Sequence, residues 1–249
     1  IHEDNINILV DNSGHTESNC LDVCALKPAA VSIHYMGYTM SLGAEFMDYV
    51  ISDPDLITSD QKDAGPEKLI YLCETIFPAS GLAANDFVPT RKELGLPEDA
   101  FVFCNFNQPF KIEPEIFSTW IDILKAVPDS VLWLGDWNDL ANDKLLEFAT
   151  KEGLDGNRII FGEIARHGLH LARLSRADLC IDTFFHGGGV TSLDCLWAGL
   201  PIISARGETP ASRLGSIFLR AHGMPELIVN DLAAYRDLAI RLARDPDRL

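Results

Sequence analysis

The second half of the chain alternates between short apolar runs and amphipathic segments of helical length. The apolar runs are rich in Val, Ile, Leu and Phe, and they lie at 101–107, 130–136, 158–163, 178–183 and 200–207. Apolar strands separated by helices are typical of a parallel sheet that is covered on both faces. The pattern therefore predicts a doubly wound α/β domain, and such domains bind ligands at the carboxyl ends of their strands.

The segments between these runs are predicted to be helices. They cover 114–127, 143–153, 167–177, 191–199, 209–222 and 231–244. The first of them has apolar residues at one face of a helix, at Ile116, Phe117, Trp120, Ile123, Leu124 and Val127. Shorter apolar runs at 6–11, 29–37, 47–53 and 67–72 predict four strands in an earlier block.

A segment rich in Pro, Gly and Asp separates the two blocks and has little periodicity. We therefore expect part of an N-terminal lobe over 1–80, an interlobe crossing over 81–98 and a C-terminal α/β lobe over 99–249. The chain begins with an apolar strand rather than with a signal peptide or an initiator Met, so we expect a piece of a longer protein.

Composition excludes several classes of partner. The formal net charge of −17 repels nucleic acid and anionic membranes, and no apolar run reaches the ~20 residues that span a bilayer. The six cysteines form no CxxC pair. Cys104, Cys180 and Cys195 lie in apolar runs, where buried thiols are the usual interpretation, so we expect a protein of the reducing cytoplasm.

The turn after the run at 101–107 carries Asn107, Gln108 and Lys111, just before the helix that begins at Pro114. A Lys above a helix N-terminus is a suitable counter-charge for a phosphate, because the cation and the backbone N–H groups converge there. The alternative is a solvated surface Lys.

The turn after the run at 158–163 leads to His167, His170 and Arg173, which share one face if the segment is helical. The two histidines could suggest zinc, but no carboxylate or third ligand follows at a matching spacing, so we predict no metal. A solvated polar face and a platform for a base or ribose both remain open.

The turn after the run at 178–183 contains three consecutive glycines, Gly187, Gly188 and Gly189. They allow close backbone approach, and Val190 and Thr191 offer N–H groups where the next helix begins. This turn has neither the Lys of a P-loop nor the spacing of a dinucleotide fingerprint. It is therefore predicted either to hold a phosphate or to form a tight corner between strand and helix.

Several longer stretches are specific to one family. They are "NFNQPFKIEPEIFSTW", "LARLSRADLCIDT", "TSLDCLWAGLPII", "GETPASRLGSIFL" and, in the first block, "GHT", "ALKPAAVSIHYMGY" and "FMDYVISD". Together they resemble the catalytic region of O-GlcNAc transferases, including bacterial-type members and the C-terminal domain of SPINDLY. The resemblance implies a GT-B fold of two Rossmann-like lobes. It also implies an inverting transfer of GlcNAc from UDP-GlcNAc to Ser or Thr hydroxyls of proteins, without metal or other cofactor.

For the donor diphosphate, the resemblance implies that Lys111 is the catalytic cation and that Gln108 is its neighbour in the same motif. Thr191 matches a hydroxyl residue at the diphosphate. Family members read His-Thr-Thr where this chain has Gly189, Val190 and Thr191. Two side-chain contacts are thus replaced, and we expect the backbone N–H groups of residues 188–191 to remain as donors.

For the nucleoside, the resemblance implies that His170 packs on the uracil and that Arg173 donates nearby. Asp194 matches the carboxylate that binds the ribose, and an ionised Asp is suited to that role because it only accepts hydrogen bonds. His167 stands where a Lys often contacts the ribose region. His186 replaces a small residue near the donor sugar, so the substitutions bear on sugar identity more than on the nucleotide.

In the first block, His15 and Thr16 of "GHT" are expected to face the cleft, with a structural role as the alternative. Gly43 ends "GYTMSLG", which departs from the family's usual Gly-Tyr-Pro-Gly-Thr-x-Gly at Thr39 and Met40. We include His15, Thr16 and Gly43 among the candidate substrate-binding residues.

Three other functions fit the same residues. The chain could use GDP-fucose, as protein O-fucosyltransferases do, or it could bind a nucleotide sugar without transferring it. It could also be an epimerase of GT-B fold that acts on free UDP-GlcNAc, although the motif around Lys111 favours a transferase. The tetratricopeptide repeats that present protein acceptors in the family lie outside these residues, so we expect this piece alone to be inactive.

Overall fold

A computed structural model describes residues 1–63, 65–73, 75–78 and 84–245. The chain forms two compact units: the described residues up to 78 with Thr209–Ala211, and the described residues from 84 onward without those three. The first residues of the predicted crossing, 81–83, lie outside the described residues. The same holds for 64, 74 and 79–80 in the predicted first lobe and for 246–249 in the predicted second lobe.

The first unit is built on a parallel sheet with the strand order β1-β2-β3-β4. Its strands are β1 (Ile8–Asp11), β2 (Val31–Tyr35), β3 (Tyr49–Ser52) and β4 (Lys68–Tyr71). All four predicted strands are confirmed, each with shorter ends. A helix of five residues, α1 (Leu21–Ala25), was not predicted because it is too short to show a helical period.

The second unit is built on a six-stranded parallel sheet with the order β10-β9-β8-β5-β6-β7. Its strands are β5 (Phe101–Asn105), β6 (Ser130–Asp136), β7 (Ile159–Glu163), β8 (Leu179–Ile181), β9 (Ile202–Ala205) and β10 (Ile228–Val229). The helices are α2 (Pro114–Ala126), α3 (Asp139–Lys151), α4 (His167–Leu174), α5 (Val190–Trp197), α6 (Pro210–Ala221) and α7 (Leu232–Ala243).

The strand order reverses between β5 and β8. From β5 the chain proceeds to β6 and β7 on one side, then returns to β8 on the other side and continues to β9 and β10. Such a reversal leaves a crevice at the carboxyl ends of the two central strands. The reversal confirms the doubly wound fold class, and it places the turns after β5 and β8 side by side.

Helix α2 shows how the apolar pattern becomes a core. Its predicted face is buried, at Ile116, Phe117, Trp120, Ile123 and Leu124. Complete burial of one such side chain contributes about 1.5–3 kcal/mol. The indole Nε1 of Trp120 donates to the hydroxyl of Tyr235 in α7 at 3.2 Å, and that hydroxyl donates to the carbonyl oxygen of Asp182 at 2.7 Å. The core is therefore tied directly to the turn after β8.

Several element boundaries differ from the predicted ones for local reasons. Helix α3 begins at Asp139 rather than at 143, because Asn138 caps it by accepting a hydrogen bond from the N–H of Ala141 at 2.9 Å. Helix α5 is followed by Gly199 at φ +76°, a left-handed conformation that ends the helix. Strand β10 has two residues and was missed.

The apolar runs bury Cys104, Cys180 and Cys195 as free thiols, which confirms their predicted burial. No helix in the described part of the chain is long and apolar enough to cross a membrane. Within the same residues, no three His, Cys, Asp or Glu side chains form a group that could hold a metal ion.

Candidate functional site

The buried carboxylate of Asp182 holds the turn between β8 and α5 in place. The Oδ1 atom of Asp182 accepts hydrogen bonds from the N–H groups of Thr183 at 2.9 Å and Gly188 at 2.8 Å. The hydroxyl of Thr183 donates to the carbonyl oxygen of His186 at 2.6 Å. The turn therefore has a defined conformation, and its glycines are more than a flexible connection.

A side chain at position 188 would require its neighbours to shift. A Cβ atom there would lie 2.3 Å from Oγ of Ser192 and 2.6 Å from Oγ1 of Thr191, closer than real Cβ contacts allow. The turn thus passes directly against the first turn of α5. Gly189 is the N-cap residue of that helix, and the first N–H groups of a helix have no partner within it.

The structure differs from the prediction at two of the expected diphosphate donors. The N–H of Gly188 points inward to Asp182, because the buried carboxylate needs donors. The hydroxyl of Thr191 donates to Oδ1 of Asn107 at 2.5 Å, so its hydrogen is also used inside the protein. The backbone N–H groups of Gly189, Val190 and Thr191, at the start of α5, are the remaining donors of the predicted set.

Lys111 reaches the same turn from the other central strand. It ends a short 3-10 helix, Pro109–Lys111, and its Nζ donates to the carbonyl oxygen of Gly187 at 3.2 Å. An ammonium group has three N–H bonds, so this contact leaves capacity for a ligand. Burial lowers the pKa of Lys111, while the charge of Asp182 opposes that shift. The neighbouring Gln108 is exposed.

His186 lies half-buried beside Lys111. Its ring meets the ring of Phe110 edge to face, with 5.8 Å between the centroids. Burial lowers the pKa of His186, and the charge of Lys111 lowers it further. The imidazole is therefore neutral at physiological pH, so it places no second positive charge beside the ammonium group of Lys111.

A cavity of about 200 Å³ opens beside this turn, within the second unit. Five predicted residues line it: His167, His170, Arg173, Thr191 and Asp194. Four further lining residues were not predicted: Phe106, Trp137, Ile164 and Ala165. A mostly apolar cavity with a few polar groups is typical of a small-molecule site.

His170 and Arg173 form a hydrogen-bonded pair in the lining of the cavity. The Nδ1 atom of His170 accepts from Nε of Arg173 at 3.2 Å, so the proton of the neutral ring is on Nε2. Burial, aided by the charges of Arg173 and His167, lowers the pKa of His170 to about 4. The His170 ring lies edge to face with Phe106, at 5.0 Å between centroids. It is a neutral, rigid aromatic surface.

Arg173 is only 4% exposed, although it was predicted to contact the ligand. Its guanidinium carbon lies 4.5 Å from the ring centroid of Phe106 and 5.4 Å from that of Trp133. Besides His170, it donates to the carbonyl oxygen of Glu163. Burial lowers the pKa of Arg173 to about 10, which keeps it charged at neutral pH. Its predicted role as a donor to the base stays a prediction.

His167 and Asp194 form a second pair in the lining of the cavity. Nε2 of His167 lies 2.9 Å from Oδ1 of Asp194, while the His167 side chain is 46% exposed. Burial raises the pKa of Asp194, and the hydrogen bond from His167 opposes that shift. The second carboxylate oxygen remains an acceptor for a ligand hydroxyl, which suits a ribose.

The remaining candidates lie in the first unit. Nε2 of His15 is 3.0 Å from the carbonyl oxygen of Leu42, next to Gly43, which adopts φ +64°. The hydroxyl of Thr16 donates to the carbonyl oxygen of Ser13 at 2.7 Å, as in a local turn. His15 and Gly43 are thus brought together, whereas Thr16 has a local partner.

The first unit also contains a buried pair that was not predicted. Nδ1 of His34 lies 3.0 Å from Oδ2 of Asp11, and the same oxygen accepts from the N–H of Gly14 at 2.8 Å. His34 also contacts the carbonyl oxygen of Tyr38. This pair supports the turn that carries His15. The two partners are 23 residues apart, so spacing along the sequence gave no signal.

These features define the second unit as a doubly wound α/β module with a polar turn and an aromatic cavity at its topological switch point. The chain belongs to glycosyl transferase family 41, whose model matches residues 1–80 and 78–249. The expected resemblance to O-GlcNAc transferases and the expected GT-B fold class are thereby confirmed.

Individual relatives agree with this assignment. The chain is 34% identical over 256 residues to the probable UDP-N-acetylglucosamine–peptide N-acetylglucosaminyltransferase SEC of Arabidopsis thaliana, covering all of this chain and 26% of the relative. It is 27% identical to the corresponding transferase of Caenorhabditis elegans, covering 100% of this chain and 31% of that protein. The solved K341M mutant of the Thermobaculum terrenum O-GlcNAc transferase superposes with a TM-score of 0.88 at 29% identity, covering 99% of this chain and 47% of the solved one.

Proposed function

We propose that the protein transfers N-acetylglucosamine from UDP-GlcNAc to Ser or Thr hydroxyls of protein acceptors, inverting the anomeric centre. The chain spans about a quarter to a half of the relatives that it matches, so the activity of the whole protein is inferred. The observation that carries the proposal is the convergence of Lys111, the N-terminus of α5 and the cavity of His170 and Asp194 at one switch point.

The three parts of this site correspond to three parts of the donor. The neutral ring of His170 offers a surface for the uracil, and the carboxylate of Asp194 accepts from ribose hydroxyls. Lys111 and the first N–H groups of α5 face the position of the diphosphate. A cation and helix N–H groups together suit two phosphates without a metal ion.

In the reaction, the acceptor oxygen forms a bond to the anomeric carbon while the bond from that carbon to the β-phosphate oxygen breaks. The electron pair of that bond goes to the leaving UDP, and the acceptor proton goes to a base that these residues do not identify. Negative charge grows on the diphosphate in this step. Lys111 and the helix N-terminus stabilise that charge, which is the largest single contribution in many such reactions.

The finer parts of the proposal follow the family. The acceptor is a protein or peptide, tetratricopeptide repeats present it in the complete protein, and the enzyme works in the cytoplasm with no metal or other cofactor. Residues 1–80 belong to a first lobe, 81–98 to the crossing and 99–249 to the donor-binding lobe.

Mass spectrometry of peptide acceptors tests the proposal directly. The complete protein is incubated in parallel with UDP-GlcNAc, UDP-glucose and GDP-fucose, in the presence of a chelator. We expect an N-acetylhexosamine addition on Ser or Thr from UDP-GlcNAc alone. Transfer of fucose would contradict UDP-GlcNAc as the donor. Epimerisation of free UDP-GlcNAc would contradict a protein as the acceptor. Binding of UDP without any product would indicate a binding module.

A further inference from the structure

Asp182 is a buried carboxylate whose two oxygens serve different neighbours. It lies at the carboxyl end of β8 and is 1% exposed. Oδ1 faces the crevice, where it accepts from the N–H groups of Thr183 and Gly188 and from Nδ2 of Asn107 at 3.1 Å. Oδ2 accepts from Oγ of Ser204 in β9 at 2.8 Å and from Oγ of Ser192 in α5 at 3.4 Å. One side chain thus joins the turn to the sheet.

Asn107 extends this network across the switch point. Its Nδ2 donates to Asp182 and also to the hydroxyl of Thr183 at 3.1 Å. Its Oδ1 accepts from the hydroxyl of Thr191 in the first turn of α5. Each amide atom of Asn107 is therefore used, and the start of α5 is fixed relative to β8 through a residue that follows β5.

Lys111 is linked to the same carboxylate by charge. Its Nζ is bound to the carbonyl oxygen of Gly187, directly before the N–H of Gly188 that Asp182 holds. Burial favours the neutral form of Lys111, and the negative charge of Asp182 favours the charged form. Burial raises the pKa of Asp182, and the hydrogen bonds from Gly188 and Ser204 together with the charge of Lys111 oppose that shift.

We propose that Asp182 is a positioning residue for the donor diphosphate. Through Gly188 and Asn107 it fixes the turn and the start of α5, and through its charge it keeps Lys111 protonated. The inference rests on the proposed function in one respect, that the ligand of this turn is a nucleoside diphosphate. Asp182 itself does not touch the ligand, because both of its oxygens face protein donors.

Asp182→Asn separates charge from hydrogen bonding. The amide keeps an oxygen for the three N–H donors, and its NH₂ group can donate to Ser204, so the network persists while the charge is lost. We expect the alkaline midpoint of UDP binding, measured calorimetrically against pH, to fall by about one pH unit. The uracil N3–H of UDP also ionises in the alkaline range, but it does so equally for wild type and variant, so the difference between their midpoints reports the protein.

The pKa of Lys111, followed by NMR of its Cε and Nζ resonances, provides a readout that needs no ligand. We expect it to fall in Asp182→Asn by the same amount. An unchanged Lys111 pKa, or a loss of UDP affinity by one constant factor at every pH, overturns the charge role. Failure of the wild-type protein to bind UDP contradicts the proposed function instead, while the Lys111 pKa still tests Asp182.

The matched control is Asp53→Asn in the first unit. Asp53 is also 1% exposed and caps a local turn, with Oδ1 accepting from the N–H groups of Asp55 at 3.0 Å and Leu56 at 2.8 Å. Burial raises the pKa of Asp53, as it does that of Asp182. We expect this variant to lose thermal stability while its Lys111 pKa and its UDP midpoint stay at the wild-type values.

Two charge-preserving variants test the geometric role even if Asp182→Asn does not fold. Asn107→Ala removes a partner of Asp182 on the crevice side, and Ser204→Ala removes one on the β9 side. We expect Asn107→Ala to weaken UDP binding about tenfold and Ser204→Ala less than about twofold, with the Lys111 pKa near wild type in both. Equal effects of the two variants would overturn the geometric role.

Discussion

His167 and Asp194 join two helices at the wall of the cavity, with 2.9 Å between Nε2 and Oδ1. His167 is the first residue of α4, and Asp194 lies in the second turn of α5. The exposed imidazole therefore holds a largely buried carboxylate in one orientation, with its other oxygen free to accept from a ligand.

Asp194→Asn should weaken UDP binding about ten- to hundredfold at neutral pH, because hydrogen bonds to a charged acceptor contribute about 1.5–3 kcal/mol. Burial raises the pKa of Asp194, so wild-type affinity should fall as the pH drops through that raised pKa. The Asn variant should lack the part of this acid dependence that Asp194 causes and keep only the part caused by protonation of the UDP phosphate. Calorimetric titration over pH measures both effects, and an equally steep acid limb in the variant would contradict the assignment.

Asp136→Asn is a suitable control for that experiment. Asp136 ends β6 at the same edge of the sheet, its Oδ1 accepts from Nδ2 of Asn142 at 2.6 Å, and it does not line the cavity. We expect UDP affinity close to wild type.

In the complete protein, Lys111→Ala should lower the transfer rate about a hundredfold or more, because it removes a donor aimed at the charge that develops on the diphosphate. The loss should appear mainly in kcat, with a smaller effect on the KM for UDP-GlcNAc. Lys144→Ala, which removes an exposed Lys paired with Glu147 at 2.7 Å, is the control and should leave both values unchanged. Near-normal turnover by Lys111→Ala would remove Lys111 from the mechanism.

His170 should make stability depend on pH. Its pKa is about 4 in the folded protein and about 6.5 when unfolded, so between these values the unfolded chain binds a proton that the folded chain does not. This contribution to stability is complete above about pH 6.5 and is lost as the pH falls towards about 4, on the order of 2 kcal/mol. Denaturant unfolding of wild type and His170→Gln should therefore show a shallower acid slope for the variant, whereas identical slopes would contradict the assignment.

Gly188→Ala should destabilise the protein by about 1–3 kcal/mol, because the new methyl group would meet the hydroxyls of Ser192 and Thr191. UDP affinity should fall as well, since the start of α5 must shift. Gly156→Ala is the control: its Cβ would meet Leu146 at an ordinary 3.6 Å. Comparable melting temperatures for the two variants would show that the turn can rearrange freely.

The regular elements of the second unit could be predicted because their apolar patterns are long. Helix α2 has five predicted apolar positions that the structure buries, and β6 has the predicted bounds. The predicted start of α3 is too late, because the prediction follows the apolar period. That period begins several residues after Asn138, the residue that caps the helix. The two-residue β10 and the five-residue α1 are defined by neighbours in space and leave no period in the sequence.

The site was only partly predictable for a related reason. Candidates such as Lys111, His170 and Asp194 could be named because they follow strands and match a family motif. Asp182 lies at the end of a predicted strand and carries no further signal in the sequence. Its partner Asn107 lies 75 residues earlier, so their contact exists only once the sheet has formed. The same holds for the inward direction of the Gly188 N–H, which depends on a buried acceptor.

The reversal of strand order also has a mechanical consequence. The halves of the second sheet meet at a seam where β5 and β8 pair through two residue pairs, against five between β5 and β6. A nucleotide bound by residues from both sides of that seam would link two strands that share only two residue pairs, as many as β8 and β9 share. Occupancy would then slow hydrogen exchange of the amides along β5 and β8 more than elsewhere in the sheet. The sheet and the binding site would therefore form together, in a single cooperative step.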